Sequence, residues 1–359
     1  MKYPQDGNGL PPRSHRLLLT AALSDGVVAL EAWRCWTEEF DLDSVSTEGF
    51  WLLPLLYRNL TTEDFQGPQK QRLAGVYKQM RLGNAIACSQ LLNLIGSLKQ
   101  AGIDTIPGAI TSLSLVDKDI AIPISPFELL VPVGTLETAD YLLQSRNWEP
   151  LMPVPPARLR PFVAGVRYRH RNGGDLRLNW RPFGLDCPLD QDAGCWQRAA
   201  RRQSGSTTPR LADPVDLLLM ACREKPLLQS SVLMNRLAHG VDWVEAESRS
   251  RKLALKRDWL ALAGASPPEL VHGVPAPIMQ GYVDPKARTQ PDDSVSLKRL
   301  TRRHWRRYHR CQKTARPSNF SGYLVSYYQY AWQTSGTLTL LLAVMRKAFG
   351  RVRGIHPIQ

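Results

Sequence analysis

Strict alternation of polar and apolar residues over positions 166 to 171 constrains the fold of this chain more than any other feature. Valine, tyrosine and histidine alternate there with three arginines, which is the period of a β-strand with one face in water. The residues Asn172-Gly173-Gly174 follow as a turn, and a second β-rich run covers Asp175–Trp180. The chain is therefore predicted to contain a β-hairpin and, with it, a sheet.

Helical patterns flank that sheet on both sides. Apolar residues recur every three or four positions from residue 13 to about 60, from about 69 to 100, and again after residue 188. We therefore predict an α+β protein in which a small mixed sheet is flanked by an N-terminal helical cap and a C-terminal helical region. The predicted units are a helical cap (1–100), an α+β core (101–190), a helical region (191–272), a Pro- and Gly-rich linker (273–295) and basic and aromatic helices (296–359).

Element boundaries are also predicted. Short β-rich runs are expected at 103–106, 127–132, 162–170 and 175–180. Gly102, two residues after Lys99-Gln100, is the expected end of the long helix. The later helices are expected at about Trp196–Arg201, Pro214–Cys222, Ser231–Ala246 and Ser250–Ala263.

Composition excludes several classes of protein. Of the 359 residues, 43% are hydrophobic and 22% are charged. This composition is typical of a globular protein and excludes a disordered or collagen-like chain. The six cysteines form no Cys-x-x-Cys pair, which favours a reducing cytoplasm.

The longest uncharged stretch, Pro317–Met345, contains asparagine, glutamines and serines, so no transmembrane segment is expected. A signal peptide is not expected either.

Common catalytic motifs are absent from the sequence. There is no Gly-x-Ser-x-Gly elbow, Walker phosphate loop, Gly-x-Gly-x-x-Gly fingerprint or His-Glu pair of a zincin. His170, Cys187 and Cys195 lack the spacing of a zinc site. The enzyme classes defined by these motifs are therefore disfavoured.

Three short motifs carry a family resemblance. They are the loop from Ala101 to Ile110, the run from Ser125 to Pro132, and Leu178-Asn179-Trp180 on a later strand, followed by a helix start at Asp213–Leu219. In this order they resemble a bacterial nucleotidyltransferase family of uncharacterised activity within the DNA polymerase beta-like nucleotidyltransferase superfamily. The similarity in element order covers most of the chain and implies a nucleotidyltransferase-like core at 101–190.

The chemistry of that superfamily requires three carboxylates. Two at positions i and i+2 of one strand and a third from a neighbouring strand hold two divalent cations, which bind a triphosphate and activate the attacking hydroxyl. The resemblance places these positions at Pro126, Glu128 and Arg177. One carboxylate of three is kept, and the accessory lysine and arginine of the family are replaced by Pro107 and Ile122.

The remaining candidate site residues follow from the same resemblance. Gly108 keeps the phosphate-loop position, and Gly108, Ser112 and Ser125 are the implied nucleotide-binding residues. Asp175 lies two residues before the third position and shares its strand face. Glu128 and Asp175 are therefore the candidate catalytic residues, with Glu128 as the candidate metal ligand. The alternative for Glu128 is an ordinary salt bridge, and for Asp175 ordinary hairpin chemistry.

Three functions remain open on these grounds. The first is a nucleotidyltransferase-family protein with an eroded carboxylate triad, weak or inactive as an enzyme and acting by binding. The second is an active nucleotidyltransferase that uses Mg²⁺ to move a nucleoside monophosphate from a nucleoside triphosphate to a small-molecule, sugar or peptide acceptor. The third is a basic adaptor for nucleic acid or an anionic membrane surface.

The third function would depend on one basic segment. The chain carries a net charge of +14, and residues 296–316 contain nine Lys or Arg and no acid. We predict one helix there, with Leu297, Thr301, Trp305 and Tyr308 packed on the fold. The other face would bind a polyanion or an acidic protein partner, although a plain solvated helix is the alternative. The candidate polyanion-binding residues are Arg299, Arg302, Arg303, Arg306 and Arg310.

Overall fold

The protein has an α+β fold, as predicted. The fold is that of a computed structural model. The residues it describes are 13–62, 66–117, 122–124, 126–185, 187, 189–201, 209–222, 227–237, 240–253, 255, 259, 305 and 320–331.

Helices dominate both ends of the described chain. Five precede the sheet or lead into it: α1 (Arg13–Leu23), α2 (Gly26–Glu39), α3 (Thr47–Phe50), α4 (Leu53–Thr62) and α5 (Lys70–Gln100). Two lie among the strands: α6 (Ala109–Val116) and α7 (Leu136–Ser145). The later helices are α8 (Leu189–Arg198), α9 (Pro214–Ala221), α10 (Leu227–Leu237), α11 (Trp243–Lys252) and α12 (Phe320–Ala331).

Five strands form the main sheet in the order β1-β2-β5-β4-β3. Strands β2 and β5 are parallel, whereas the other neighbouring pairs are antiparallel. The strands are β1 (Ile106–Pro107), β2 (Phe127–Leu130), β3 (Trp148–Pro150), β4 (Gly165–His170) and β5 (Asp175–Asn179). Two further short strands, β6 (Ala200–Arg201) and β7 (Arg210–Leu211), pair with each other.

The predicted hairpin is confirmed. Strands β4 and β5 are antiparallel neighbours, and Gly173 and Gly174 between them have φ of 89° and 102°, which glycine adopts without steric cost. Gly102 ends α5 as expected, with φ of 75°. The amide of the next residue, Ile103, donates to the carbonyl of Leu98, which is the bonding of a glycine-terminated helix.

One face of the sheet is buried against α5 and α7. Its apolar residues alternate along the strands and pack on the C-terminal half of α5. Tyr168 is fully buried there, and its hydroxyl donates to Asp140 of α7 at 2.8 Å. Burial, followed by this hydrogen bond, raises the pKa of Tyr168.

Helices from before and after the sheet share a second core. Buried residues of α1, α2, α4, α9, α10 and α11 form one cluster, which also includes Ile106 and Leu130 at the end of the sheet. A third, small cluster joins Leu159 and Phe162 to Tyr323 of α12, and the rings of the last two have centroids 4.1 Å apart. Packing of apolar helix faces is the main stabilising contribution for elements of this kind.

Several predicted elements differ from the structure, among them the helix expected at Ser250–Ala263, because α11 already includes Ser250 and ends at Lys252. The sequence pattern missed β3, an edge strand of three residues. The single helix expected over Ser231–Ala246 is two, α10 and α11, because Asp242 caps α11 by accepting hydrogen bonds from the amides of Val244 and Glu245. The helix expected at Trp196–Arg201 begins at Leu189 and ends before β6. No helix within the described residues combines the length and the apolar character needed to cross a membrane.

Candidate functional site

The second face of the sheet carries a polar row at the predicted site. Glu128 of β2, Arg177 of β5 and Arg167 of β4 lie opposite one another on three adjacent strands. Leu176 and Leu178, on either side of Arg177 in β5, point the other way and are fully buried. The expectation that Glu128 and Arg177 face each other on neighbouring strands is therefore confirmed, whereas a cleft beside them stays a prediction.

Glu128 and Arg177 form an ion pair. The Arg177 Nη1 atom lies 3.3 Å from Glu128 Oε1, and the arginine and glutamate side chains are 46% and 14% exposed. The carboxylate is thus mostly covered, whereas the guanidinium lies at the surface. Parallel pairing puts the two Cα atoms in register, so the contact follows from the sheet itself.

Gly108 lies directly against Glu128. A Cβ on residue 108 would stand 2.6 Å from the Glu128 Cβ and 2.9 Å from its Oε2, so any side chain there would clash. The Gly108 amide donates to the Glu128 carbonyl at 2.7 Å, and Gly108 is the N-cap of α6. The loop before α6 and the Glu128 strand are therefore one packed unit.

Two hydroxyl groups of α6 strengthen this unit. Thr111 Oγ1 accepts a hydrogen bond from the Glu128 amide at 3.0 Å, a contact that the sequence did not reveal. Ser112 is 1% exposed, and its hydroxyl donates to the Pro107 carbonyl at 2.9 Å. The Ser112 hydroxyl thus holds the loop together, and its nucleotide-binding role stays a prediction.

Asp175 lies on the same polar face but has other partners. Its carboxylate is 3.2 Å from Arg169 Nε and 3.7 Å from Arg167 Nη2, both on β4. The expected sharing of a strand face with Arg177 is confirmed by the alternation in β5. The two candidate carboxylates, Glu128 and Asp175, each have their own arginines.

The side chains at this site do not fit a two-metal cage. Such a cage needs several carboxylate oxygens around each hard cation. Position 126 is an exposed proline, and position 177 supplies a guanidinium that already contacts Glu128. Among the residues described, no group of three or more His, Cys, Asp or Glu side chains is arranged to hold a metal ion.

Two predicted site regions fall largely outside the described residues. Ser125 is one of them. In the basic segment 296–316, all five candidate polyanion-binding arginines lie outside the described residues, and only Trp305 is described. It is helical, as predicted, but 47% exposed, so its expected packing against the fold is at most partial.

A buried charge network in the later helices was missed altogether. Asp216 of α9 is fully buried, and its carboxylate accepts hydrogen bonds from Arg198 of α8 at 2.8 and 2.9 Å. Arg249 of α11 reaches the same carboxylate at 3.0 Å and the α9 N-cap residue Asp213 at 2.9 Å. Burial and then the charge of Asp216 raise the pKa of the neighbouring Cys195 thiol. The network ties three helices together.

Comparison with known proteins adds no family name. No family model matches the chain, and no curated protein matches it significantly.

Proposed function

We propose that this chain is a nucleotidyltransferase-like protein without a working metal cage, which acts by binding and not by nucleotidyl transfer. The observation that carries the proposal is the contact between Glu128 and Arg177 across two parallel strands. A guanidinium stands where the resemblance expects the third carboxylate. A fixed positive charge beside Glu128 opposes the approach of a divalent cation.

The arrangement around Asp175 supports the same proposal. A metal site formed by the two remaining carboxylates would need Glu128 and Asp175 to share one ion. Asp175, however, is paired with Arg167 and Arg169. An active enzyme would have to break three arginine contacts before loading metal. Activity as a Mg²⁺-dependent nucleotidyltransferase is therefore the alternative that the test must exclude.

The test is a calorimetric titration of ATP and GTP into the protein, with Mg²⁺, with Mn²⁺ and with EDTA. We expect metal to leave the affinity unchanged, with only salt-sensitive binding through arginines. A tenfold or greater gain with Mn²⁺, about 1.4 kcal/mol, that Glu128→Gln removes would overturn the proposal in favour of the active enzyme.

Rebuilding the triad tests the structural half of the proposal. The double variant Pro126→Asp with Arg177→Asp places three carboxylates at the positions that the resemblance assigns. We expect it to acquire Mn²⁺ binding, measured by the loss of the free-Mn²⁺ electron paramagnetic resonance signal. Arg171→Asp, just after the end of β4 and paired with Glu149 in the native protein, is the control for added negative charge. A double variant that binds Mn²⁺ no better than this control would contradict the nucleotidyltransferase-like geometry.

A further inference from the structure

We propose that the pocket between α4 and α5 binds a nucleobase together with its attached phosphate. The pocket has a volume of about 430 Å³, within the range of roughly 300 to 1,000 Å³ that is usual for small-molecule sites. It belongs to the N-terminal helices and shares no lining residue with the Glu128 site. The described residues that line it are Tyr57, Tyr77, Lys78, Arg81, Leu82 and Ala85.

Helix geometry brings these side chains together. The five residues from α5 fall within two and a half turns of one helix, at spacings of one, three and four residues, so they share one side of it. Tyr57 comes from α4, which packs on α5. Its ring centroid lies 5.2 Å from that of Tyr77, with the planes inclined by 40°.

Two tyrosines supply a surface for stacking. Both rings are half-buried, so each is held by the fold while part of it borders the pocket. Nucleobases of any kind stack on aromatic side chains. Leu82 is 65% exposed and provides an apolar surface beside the rings.

Two cations supply the phosphate contacts. The Arg81 guanidinium carbon lies 6.0 Å from the centroid of the Tyr77 ring, at the outer limit of a cation–π contact. Lys78 is exposed one residue after Tyr77. The positive charges of Lys78 and Arg81 in the lining favour an anion. Arginine and lysine both bind phosphate oxygens.

A second pocket shows why this combination is informative. It also contains a tyrosine and an arginine, Tyr141 and Arg160, but Glu137 and Asp140 line it as well. The carboxylates of that second pocket would repel a phosphate. The described lining of the Tyr77 pocket combines aromatic and cationic side chains. A nucleobase with a phosphate offers the matching groups, a ring that stacks and a negative charge.

A free mononucleotide and a single-stranded nucleic acid both present this chemistry, so the experiment has an arm for each. Fluorescence anisotropy would follow a labelled oligo(A) 12-mer and a labelled ATP analogue, both in EDTA. Inorganic triphosphate as a competitor reports the contribution of charge alone. Because no metal is present, the result does not depend on the Glu128 site or on the proposed loss of its metal cage.

We expect Tyr77→Leu and Arg81→Gln each to weaken binding at least fivefold, whereas Tyr77→Phe keeps the ring and the affinity. Tyr141→Leu, at the acidic pocket, is the matched control and should have no effect. A variant with glutamine at Arg299, Arg302, Arg306 and Arg310 separates any contribution of the basic segment. Melting temperatures and the Tyr77→Phe result distinguish lost stacking from lost folding.

Each outcome has a defined meaning. Loss of oligonucleotide binding with intact ATP binding, or the reverse, would identify the ligand as a strand or a free nucleotide. Unchanged affinity in folded Tyr77→Leu protein would overturn the proposal. Equal competition by inorganic triphosphate and ATP would also overturn it, because the base would then add nothing.

Discussion

Gly108 and Glu128 approach so closely that a methyl group on residue 108 would lie 2.6 Å from the Glu128 Cβ. We therefore expect Gly108→Ala to destabilise the protein by about 1–3 kcal/mol, because the loop or the strand must shift to relieve the overlap. Gly96→Ala is the control. That glycine lies inside α5, and a methyl group on it would have nothing within 4 Å, so the change should stabilise by roughly 0.5–1 kcal/mol. The free energy of unfolding of both variants, measured in urea, tests this prediction. Equal changes in the two variants would contradict the close approach.

Removal of the buried carboxylate at Asp216 should be costly. Asp216→Asn leaves Arg198 and Arg249 without their shared counter-charge, and breaking a buried pair in this way costs about 3–5 kcal/mol. Glu247→Gln, which breaks an exposed pair with Arg251 on α11, should cost less than about 1 kcal/mol. Thermal unfolding monitored by circular dichroism compares the two. A mild Asp216→Asn variant would show that the network is not a main link between α8, α9 and α11.

The stability of the N-terminal helices should depend on pH through His15. This histidine is 7% exposed and lies 2.7 Å from Ser46 Oγ, and burial lowers its pKa. The unfolded chain, with an ordinary pKa near 6.5, binds the proton more readily than the folded one. Stability should therefore be full above about pH 6.5 and fall as the pH drops below it. In urea unfolding, His15→Gln should reduce the difference in the free energy of unfolding between pH 7.5 and pH 5.5. An unchanged difference would contradict the role of His15 in this pH dependence.

Buried thiols should resist labelling. Cys195 is fully buried and its pKa is raised, so both access and thiolate content are low. N-ethylmaleimide at pH 7.5 should modify the half-buried Cys35 well before Cys195, as read by peptide mass spectrometry. In denaturant the two should react alike. Early modification of Cys195 in the folded protein would show that α8 opens readily.

The sequence was most informative where local period and resemblance agreed. Alternation over residues 166–171 predicted a strand with its arginines on the exposed face, and the resemblance placed Glu128 and Arg177 on neighbouring strands. The structure has both in register. Alternation of side chains is a local property of a strand and does not depend on the rest of the fold.

Features that depend on distant residues were missed. Thr111 accepts from the Glu128 amide across 17 positions, and nothing in the sequence around Thr111 marks that role. The pairs of Asp216 with Arg198 and Arg249 span 18 and 33 positions. Strand β3 was missed because three residues, one of them proline, give too short a pattern, and Asn147 before it has φ of 63°.

The parallel pairing of β2 and β5 has a consequence for the order of folding. Glu128 and Arg177 are 49 positions apart, and closing a loop of that length is slow compared with forming the adjacent β4–β5 hairpin. The hairpin can therefore form first and present β5 as a template, onto which β2 docks together with the α6 loop. On the ribosome, β2 is synthesised well before β5. The apolar residues of β2 therefore lack their parallel partner strand until β5 has emerged.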